Sequence, residues 1–301
     1  MTLSQRTSGI NADSITAVDV HVHAMSFDQK TPEKTEGDST FNQSASKYFG
    51  ADVASKGWEV LGSYYRERKM AAVIFSVDEQ LSGAPFIGND KVVEIAAKDR
   101  DVLLPFASIN PHRGAAAVEE ARRLIQGGSI CGFKFHPPLQ EFFANDRLAY
   151  PLYEVIAESG LPALFHTGHS GIGTRVRGGG GVRQKYGNPI YLDDVAVDFP
   201  DMPIIMAHPS FPWQDEAISV CLHKPQVYID LSGWSPKYFS PTLIQYANTL
   251  LKDKMLFGSD FPVITPDRWI KDFEAIAIKD EVRPMIMKEN AVRLFQLRRH
   301  D

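Results

Sequence analysis

Two cysteines in 301 residues, Cys131 and Cys221, are too few and too embedded in apolar runs to form a disulfide framework. Reduced thiols in a cytoplasmic protein are the simpler expectation. Basic residues are also scarce: 32 Lys and Arg against 37 Asp and Glu leave a net charge of −5. A phosphate-backbone binder needs the opposite balance and a basic stripe interleaved with aromatics, so no nucleic-acid partner is expected. No apolar stretch reaches membrane-spanning length, and the opening MTLSQRTSGINADS lacks the apolar core of a signal peptide. No membrane partner is expected either. Glycine is missing where a nucleotide-binding sheet would need it, because no Gly-rich loop follows the first apolar run. The hydrophobic content of 44% nonetheless supplies a sizeable core.

Short β-rich apolar runs recur at 15–23, 70–77, 102–109, 131–136, 162–166, 203–208, 227–231 and 255–260. Punctuated helical patterns separate them. Ala117, Ala121, Leu124 and Ile125 form a stripe that stops at Gly127-Gly128. Leu152, Val155, Ile156 and Ser159 form another, entered through Pro151 and ended by Gly160. Thr265-Pro266-Asp267 supplies an N-cap, a first-turn proline and an acidic first turn for a helix carrying Trp269, Ile270 and Phe273. Eight strand–helix alternations predict an α/β fold, a (β/α)8 TIM barrel forming a single domain over residues 1–301. A doubly wound open sheet is the alternative, disfavoured by the missing phosphate loop. Residues 26–69 form a long insertion after strand one, polar over 26–47 and helical in pattern over 57–68. Loops after barrel strands emerge at the catalytic face, so a lid or a dimer contact is expected there.

Asp19-Val-His21-Val-His23 closes the first run. Strand side chains alternate, which places Asp19, His21 and His23 on one face and Val20 and Val22 on the other. An isolated His-x-His is more often two ordinary hydrogen-bonded histidines than a metal clip. Here, later runs also end in ligand-type side chains: His166 at the fifth, His208 at the sixth and Asp260 at the eighth. Barrel active sites are built at the C-terminal ends of strands. Two histidines from one strand, a third opposite and one carboxylate suit a zinc-like ion with an open position. His208 is left over for acid–base work. One divalent ion is expected, zinc first, with manganese or iron as alternatives because all three accept imidazole and carboxylate.

The ordered set HVH at 21–23, FHTGH at 165–169, AHP at 207–209, FGSDFP at 257–262 and ENAVRLF at 289–295 resembles the amidohydrolase superfamily. The nearer resemblance is to its amidohydrolase-2 branch, related to aminocarboxymuconate-semialdehyde decarboxylase, aromatic-acid decarboxylases and C–C or lactone hydrolases. It covers nearly the whole chain. It implies that His21, His23, His166 and Asp260 bind the metal and that His208 is the catalytic histidine of strand six. Asp260 would share base duty with it. Relatives are often homo-oligomers, so a dimer or tetramer is expected.

Other residues point to an acidic small-molecule substrate. Lys134 and His136 share a face of strand four, where binuclear relatives carry a carbamylated lysine; substrate contact beside a single metal is the expectation here. His169 reads equally as a substrate contact or a loop residue, and Asp230 as a support for the metal site or a structural carboxylate. Trp213 and Trp234 follow strands six and seven and are candidate walls for an aromatic pocket. The segment 171–185, GIGTRVRGGGGVRQK, joins four glycines to Arg175, Arg177, Arg183 and Lys185, a combination suited to a carboxylate or phosphate. His112, His223 and His300 read as structural or solvated. The leading function is a metal-dependent hydrolase of an activated carbonyl, with C–C hydrolysis of an aryl β-ketoacyl-CoA in aromatic catabolism as a specific case. The alternatives are non-oxidative decarboxylation of an aromatic or muconate-type acid and a non-catalytic metal-binding barrel.

Overall fold

Parallel strands buried on both faces read as continuous apolar runs, and each of the eight runs contains one. The computed structural model describes residues 2–7, 9–24, 58–79, 81 and 86–299. The strands are β1 Ala17–His23, β2 Met70–Phe75, β3 Leu103–Ser108, β4 Gly132–Phe135, β5 Ala163–His166, β6 Ile204–Ala207, β7 Val227–Asp230 and β8 Met255–Leu256. They lie in sequence order around one sheet. Each is followed by a helix: α1 Leu61–Glu67, α2 Asn89–Lys98, α3 Ala115–Gly127, α4 Tyr150–Ser159, α5 Tyr191–Asp198, α6 Gln214–His223, α7 Pro241–Ala247 and α8 Pro266–Glu274. The fold is the expected (β/α)8 barrel. Residues 26–57 of the expected insertion, the lid or dimer contact read into them, and His300 lie outside the described residues. No described helix is long and apolar enough to cross a membrane.

Closure comes from the segment after β8. Val20 N–H donates to Phe257 O at 3.0 Å, Asp260 N–H to His21 O at 3.0 Å and His23 N–H to Phe261 O at 2.9 Å. Asn290, in the terminal ENAVRLF motif, is fully buried and donates to Lys252 O and Met255 O at 2.9 and 2.8 Å, fixing the entry to β8. The exit is fixed by α8. The Thr265 side chain caps that helix and Pro266 opens it. Buried Trp269 packs on Phe257 and Phe273 and donates its indole N–H to Leu231 O at 3.2 Å.

Two expectations about strand geometry need correction. A bulge interrupts β1, since Asp19 pairs with Ala72 while Val22 pairs with Ile74. Asp19 therefore does not join the two histidines. Its carboxylate accepts from Tyr65 Oη at 2.8 Å, Ser259 Oγ at 2.5 Å and Ser259 N–H at 2.9 Å, tying α1 to the segment that closes the barrel. Moreover, His136, His208 and Asp260 stand beyond the ends of β4, β6 and β8 rather than on them. His136 caps the short helix Pro137–Gln140, whereas His208 and Asp260 adopt left-handed backbone at φ 74° and 67°. Such conformations are uncommon outside glycine, and here they turn two polar side chains at the barrel mouth.

Candidate metal centre and active site

His21, His23 and Asp260 each bring one ligand atom to within 4.8 Å of the other two. Asp260 Oδ1 lies 3.0 Å from His23 Nε2 and 3.3 Å from His21 Nε2. The opposite nitrogen of His21, Nδ1, lies 2.7 Å from Asp230 Oδ2 at the end of β7. Asp230 also accepts from Ser232 N–H at 2.9 Å and Ser232 Oγ at 2.8 Å, and this donor set leaves no use for a carboxyl proton. Burial raises the Asp230 carboxyl, against the two Ser232 donors and the Lys134 charge that favour its carboxylate. The His21 proton therefore sits on Nδ1, and Nε2 carries a lone pair. That lone pair faces Asp260 Oδ1, acceptor against acceptor. Lys134 Nζ, 3.3 Å from the same nitrogen, is the positive group beside it.

A second chain of tautomers ends the same way. His208 Nδ1 lies 3.1 Å from Ser232 O, a carbonyl that can only accept, so Nδ1 holds the proton. His208 Nε2 must then accept, and it lies 3.0 Å from His166 Nδ1. His166 consequently donates from Nδ1, which leaves the lone pair on Nε2. That atom is buried with no hydrogen-bond partner among the described residues. A His166 lone pair with no partner among the described residues, and a His21 lone pair that meets the Lys134 ammonium and faces a carboxylate, are what a divalent cation would satisfy, so the donor set fits one. The structure does not gather His166 into the tight group of three ligand atoms. Instead it stacks on His136 with ring centroids 3.9 Å apart. His208, expected to be free, spends both nitrogens in holding His166 and Ser232.

Burial pushes His21, His136 and His166 well below the ordinary imidazole value and His208 down to about 4. All four are neutral at pH 7, the form that ligates metal. Burial works against the Asp260 carboxylate, but the His23 hydrogen bond and neighbouring positive charge outweigh it and hold the group below its usual range. Burial also lowers the Lys134 ammonium, against the attraction of Asp260 and Asp230.

The Amidohydrolase family model matches residues 18–297. The chain belongs to this family. It is accordingly an enzyme of a class that works with a divalent metal. Solved structures of similar fold include an uncharacterised TIM-barrel protein from Bordetella bronchiseptica, at 24% identity and TM-score 0.73, covering 93% of this chain and 98% of that one. A dihydroxybenzoic acid decarboxylase from Polaromonas sp. JS666, with bound manganese and the inhibitor 2-nitroresorcinol, matches at 16% identity and TM-score 0.66, covering 95% and 98%. A probable 2-pyrone-4,6-dicarboxylic acid hydrolase from Acinetobacter baumannii, with citric acid bound, matches at 16% identity and TM-score 0.59, covering 94% and 100%. No curated protein matches the sequence.

In this amidohydrolase a cavity of about 290 Å³ opens beside His208 and Asp260. His169 and Trp234, both read from the sequence, line it, as do Tyr238 and Arg268, which were not. Trp213 is not among the lining residues; Trp234 instead leans on Phe211 with ring centroids 5.5 Å apart. Lys134 is fully buried inside the barrel. His136 accepts from Leu139 N–H through Nδ1 at 3.4 Å, so its proton is on Nε2. The basic segment contributes only Gly171 to the lining. Arg183 is paired with Glu141 at 2.8 Å, and Arg175 and Arg177 are exposed. A larger hollow of about 390 Å³ lies between α3 and α4 on the outside of the barrel, lined mainly by apolar residues with Glu119 and Arg122.

Gly233 limits what this site tolerates. It has φ 74°, and a Cβ there would stand 2.4 Å from His208 Nδ1. Gly233→Ala is expected to destabilise the fold by at least about 2 kcal/mol, from the left-handed backbone and the overpacking together. Thermal melting measures that loss. A metal titration of the same variant should show weaker binding as His208 moves and releases His166; unchanged melting and binding would contradict the geometry.

Proposed function

We propose that this chain is a divalent-metal-dependent hydrolase of a carbonyl-containing, acidic aromatic small molecule. The reading rests on one observation: the lone pair of His21 Nε2 faces Asp260 Oδ1, and that of His166 Nε2 is buried without a partner among the described residues, beside an open cavity. When bound, a divalent ion supplies Lewis acidity toward a carbonyl oxygen and activates water near neutral pH. His21, His23 and Asp260 would hold it, with His166 as the fourth donor, and zinc and manganese both suit this set. Asp230 and Ser232 keep His21 and His208 in the required tautomers. Proton transfer falls to Asp260 at its carboxylate and His208 at Nε2, cavity-lining groups beside the metal ligands that carry lone pairs at neutral pH. His208 takes that role by exchanging its bond to His166 for one to water. Trp234 and Tyr238 offer flat apolar surface to an aromatic ring, while Lys134 and the Nε2–H of His136 offer positive charge and a donor at the barrel end.

Decarboxylation is the second reading, supported by the likeness in fold to the manganese-containing dihydroxybenzoic acid decarboxylase. Turnover of candidate aromatic acids and esters by metal-loaded enzyme in oxygen-18 water separates the two. Hydrolysis predicts one labelled oxygen in the product and no carbon dioxide. Carbon dioxide without label would replace the first reading by the second, and activity that survives complete removal of metal would overturn both. An aryl β-ketoacyl-CoA is the specific substrate least supported by the cavity, because the loop arginines that would meet its phosphates do not line it.

A further inference from the structure

We propose that Arg268 anchors a second carboxylate on the substrate, remote from the reacting carbon, and so selects aromatic dicarboxylates over monocarboxylates. The inference rests on the aromatic-acid reading above and adds to it the place and residue of the second charge. Arg268 lines the same cavity as His208, Asp260, Trp234 and Tyr238. Its guanidinium is exposed and forms no hydrogen bond or ion pair among the described residues. Several other cations are committed elsewhere. Arg68 grips Asp267 through Nε and Nη2 at 2.9 and 2.7 Å, and Arg183 is held by Glu141. Lys185 lies against the rings of Phe143 and Tyr186. Lys134 is sunk beside His21, at the opposite extreme of burial from Arg268.

The position of Arg268 in α8 strengthens the case. It sits in the first turn of a nine-residue helix, where the partial positive charge of the helix end disfavours a cation and favours an anion. An unpaired arginine there gains more from an anionic ligand than one in mid-helix. Its backbone is fixed before binding: the Arg268 N–H donates to Thr265 Oγ1 at 3.3 Å, and the next residue, Trp269, is buried and bonded to Leu231 O. The planar guanidinium can meet a carboxylate with two parallel hydrogen bonds. Ser235, another polar side chain on this wall, already donates its hydroxyl to Asp272 at 2.6 Å. A flat ring against Trp234 and Tyr238 would thus have one acid group toward the metal site and the other toward Arg268.

Isothermal titration of the full-length, manganese-loaded protein with benzoate, isophthalate and terephthalate tests this, using wild type, Arg268→Gln and Arg268→Lys. At least one dicarboxylate should bind wild type about tenfold or more tighter than benzoate, the scale of a hydrogen-bonded charge pair. Arg268→Gln should erase that preference and leave benzoate affinity within about twofold, while Arg268→Lys keeps part of it because the point charge remains. Manganese stoichiometry and melting temperature should match wild type in both variants, since the side chain is exposed. Equal binding of the three acids by wild type, or a preference that survives Arg268→Gln, overturns the anchor and leaves the aromatic-acid reading standing. Failure of the manganese-loaded wild type to bind any of the acids overturns both.

Discussion

Asp260→Asn is expected to reduce metal-dependent turnover by more than about 100-fold and to leave the purified protein nearly free of metal. Loss of a group that merely orients a ligand typically costs 10–100-fold in affinity, and Asp260 is proposed as a ligand itself. Asparagine keeps the shape of the side chain and is among the residues that tolerate the φ of 67° at this position. The backbone bond from residue 260 to His21 O, which helps to close the barrel, does not depend on the side chain. The variant should therefore fold. What changes is charge: an amide offers one neutral oxygen where the carboxylate offered two anionic ones, and its N–H groups face nitrogens that should point lone pairs at a cation. Elemental analysis after gel filtration, with a melting curve as control, reads the outcome. His21→Ala should lose metal likewise. Stoichiometric metal and full activity in both variants would remove these residues from the centre.

The barrel was legible because its strands are covered on both sides. MAAVIF at β2 and IIMA at β6 are apolar throughout, and nothing in a parallel sheet requires alternation. Helix boundaries were equally plain at Pro151, Gly160 and Thr265-Pro266, where the residue type carries the geometry. The ends of the strands were less so. His208 and Asp260 read as strand termini because they follow apolar residues, yet each turns through a left-handed conformation that no local pattern announces. The bulge in β1 was hidden for the same reason, and with it the separate role of Asp19 beneath Tyr65 and Ser259. Charge density drew the eye to the arginines of 171–185, but Glu141, 42 residues before Arg183, neutralises one of them. Arg268 carried no such signal: one arginine in a well-capped helix looks like solvated surface until the cavity is seen beside it.

Asp230, read equally as metal-site support or structural carboxylate, meets a proposed metal ligand through closure of the barrel. It stands 209 residues from His21 in sequence, and their bond exists only because β7 and β1 both flank β8 in the closed barrel. Every polar contact recorded for its carboxylate is with a donor: Ser232 N–H on Oδ1, and Ser232 Oγ and His21 Nδ1–H on Oδ2. Asp230→Asn cannot reproduce this. In one orientation its amide opposes the Ser232 N–H; in the other it opposes the His21 Nδ1–H and drives that proton to Nε2, the atom proposed to hold the metal. The expected result is a loss of about 1–3 kcal/mol in stability from the unmatched buried donor. Metal affinity should fall by about 10–100-fold, with turnover restored in part by excess manganese. Ser232→Ala serves as the comparison, since it removes a hydroxyl from the same cluster but leaves Asp230 bonded to His21. Proton NMR of the imidazole Nδ1–H should show the His21 signal in wild type and in Ser232→Ala, and its displacement or loss in Asp230→Asn. If Asp230→Asn destabilises the fold yet leaves both that signal and the metal affinity unchanged, Asp230 supports the barrel alone, and the tautomer of His21 is set by another group.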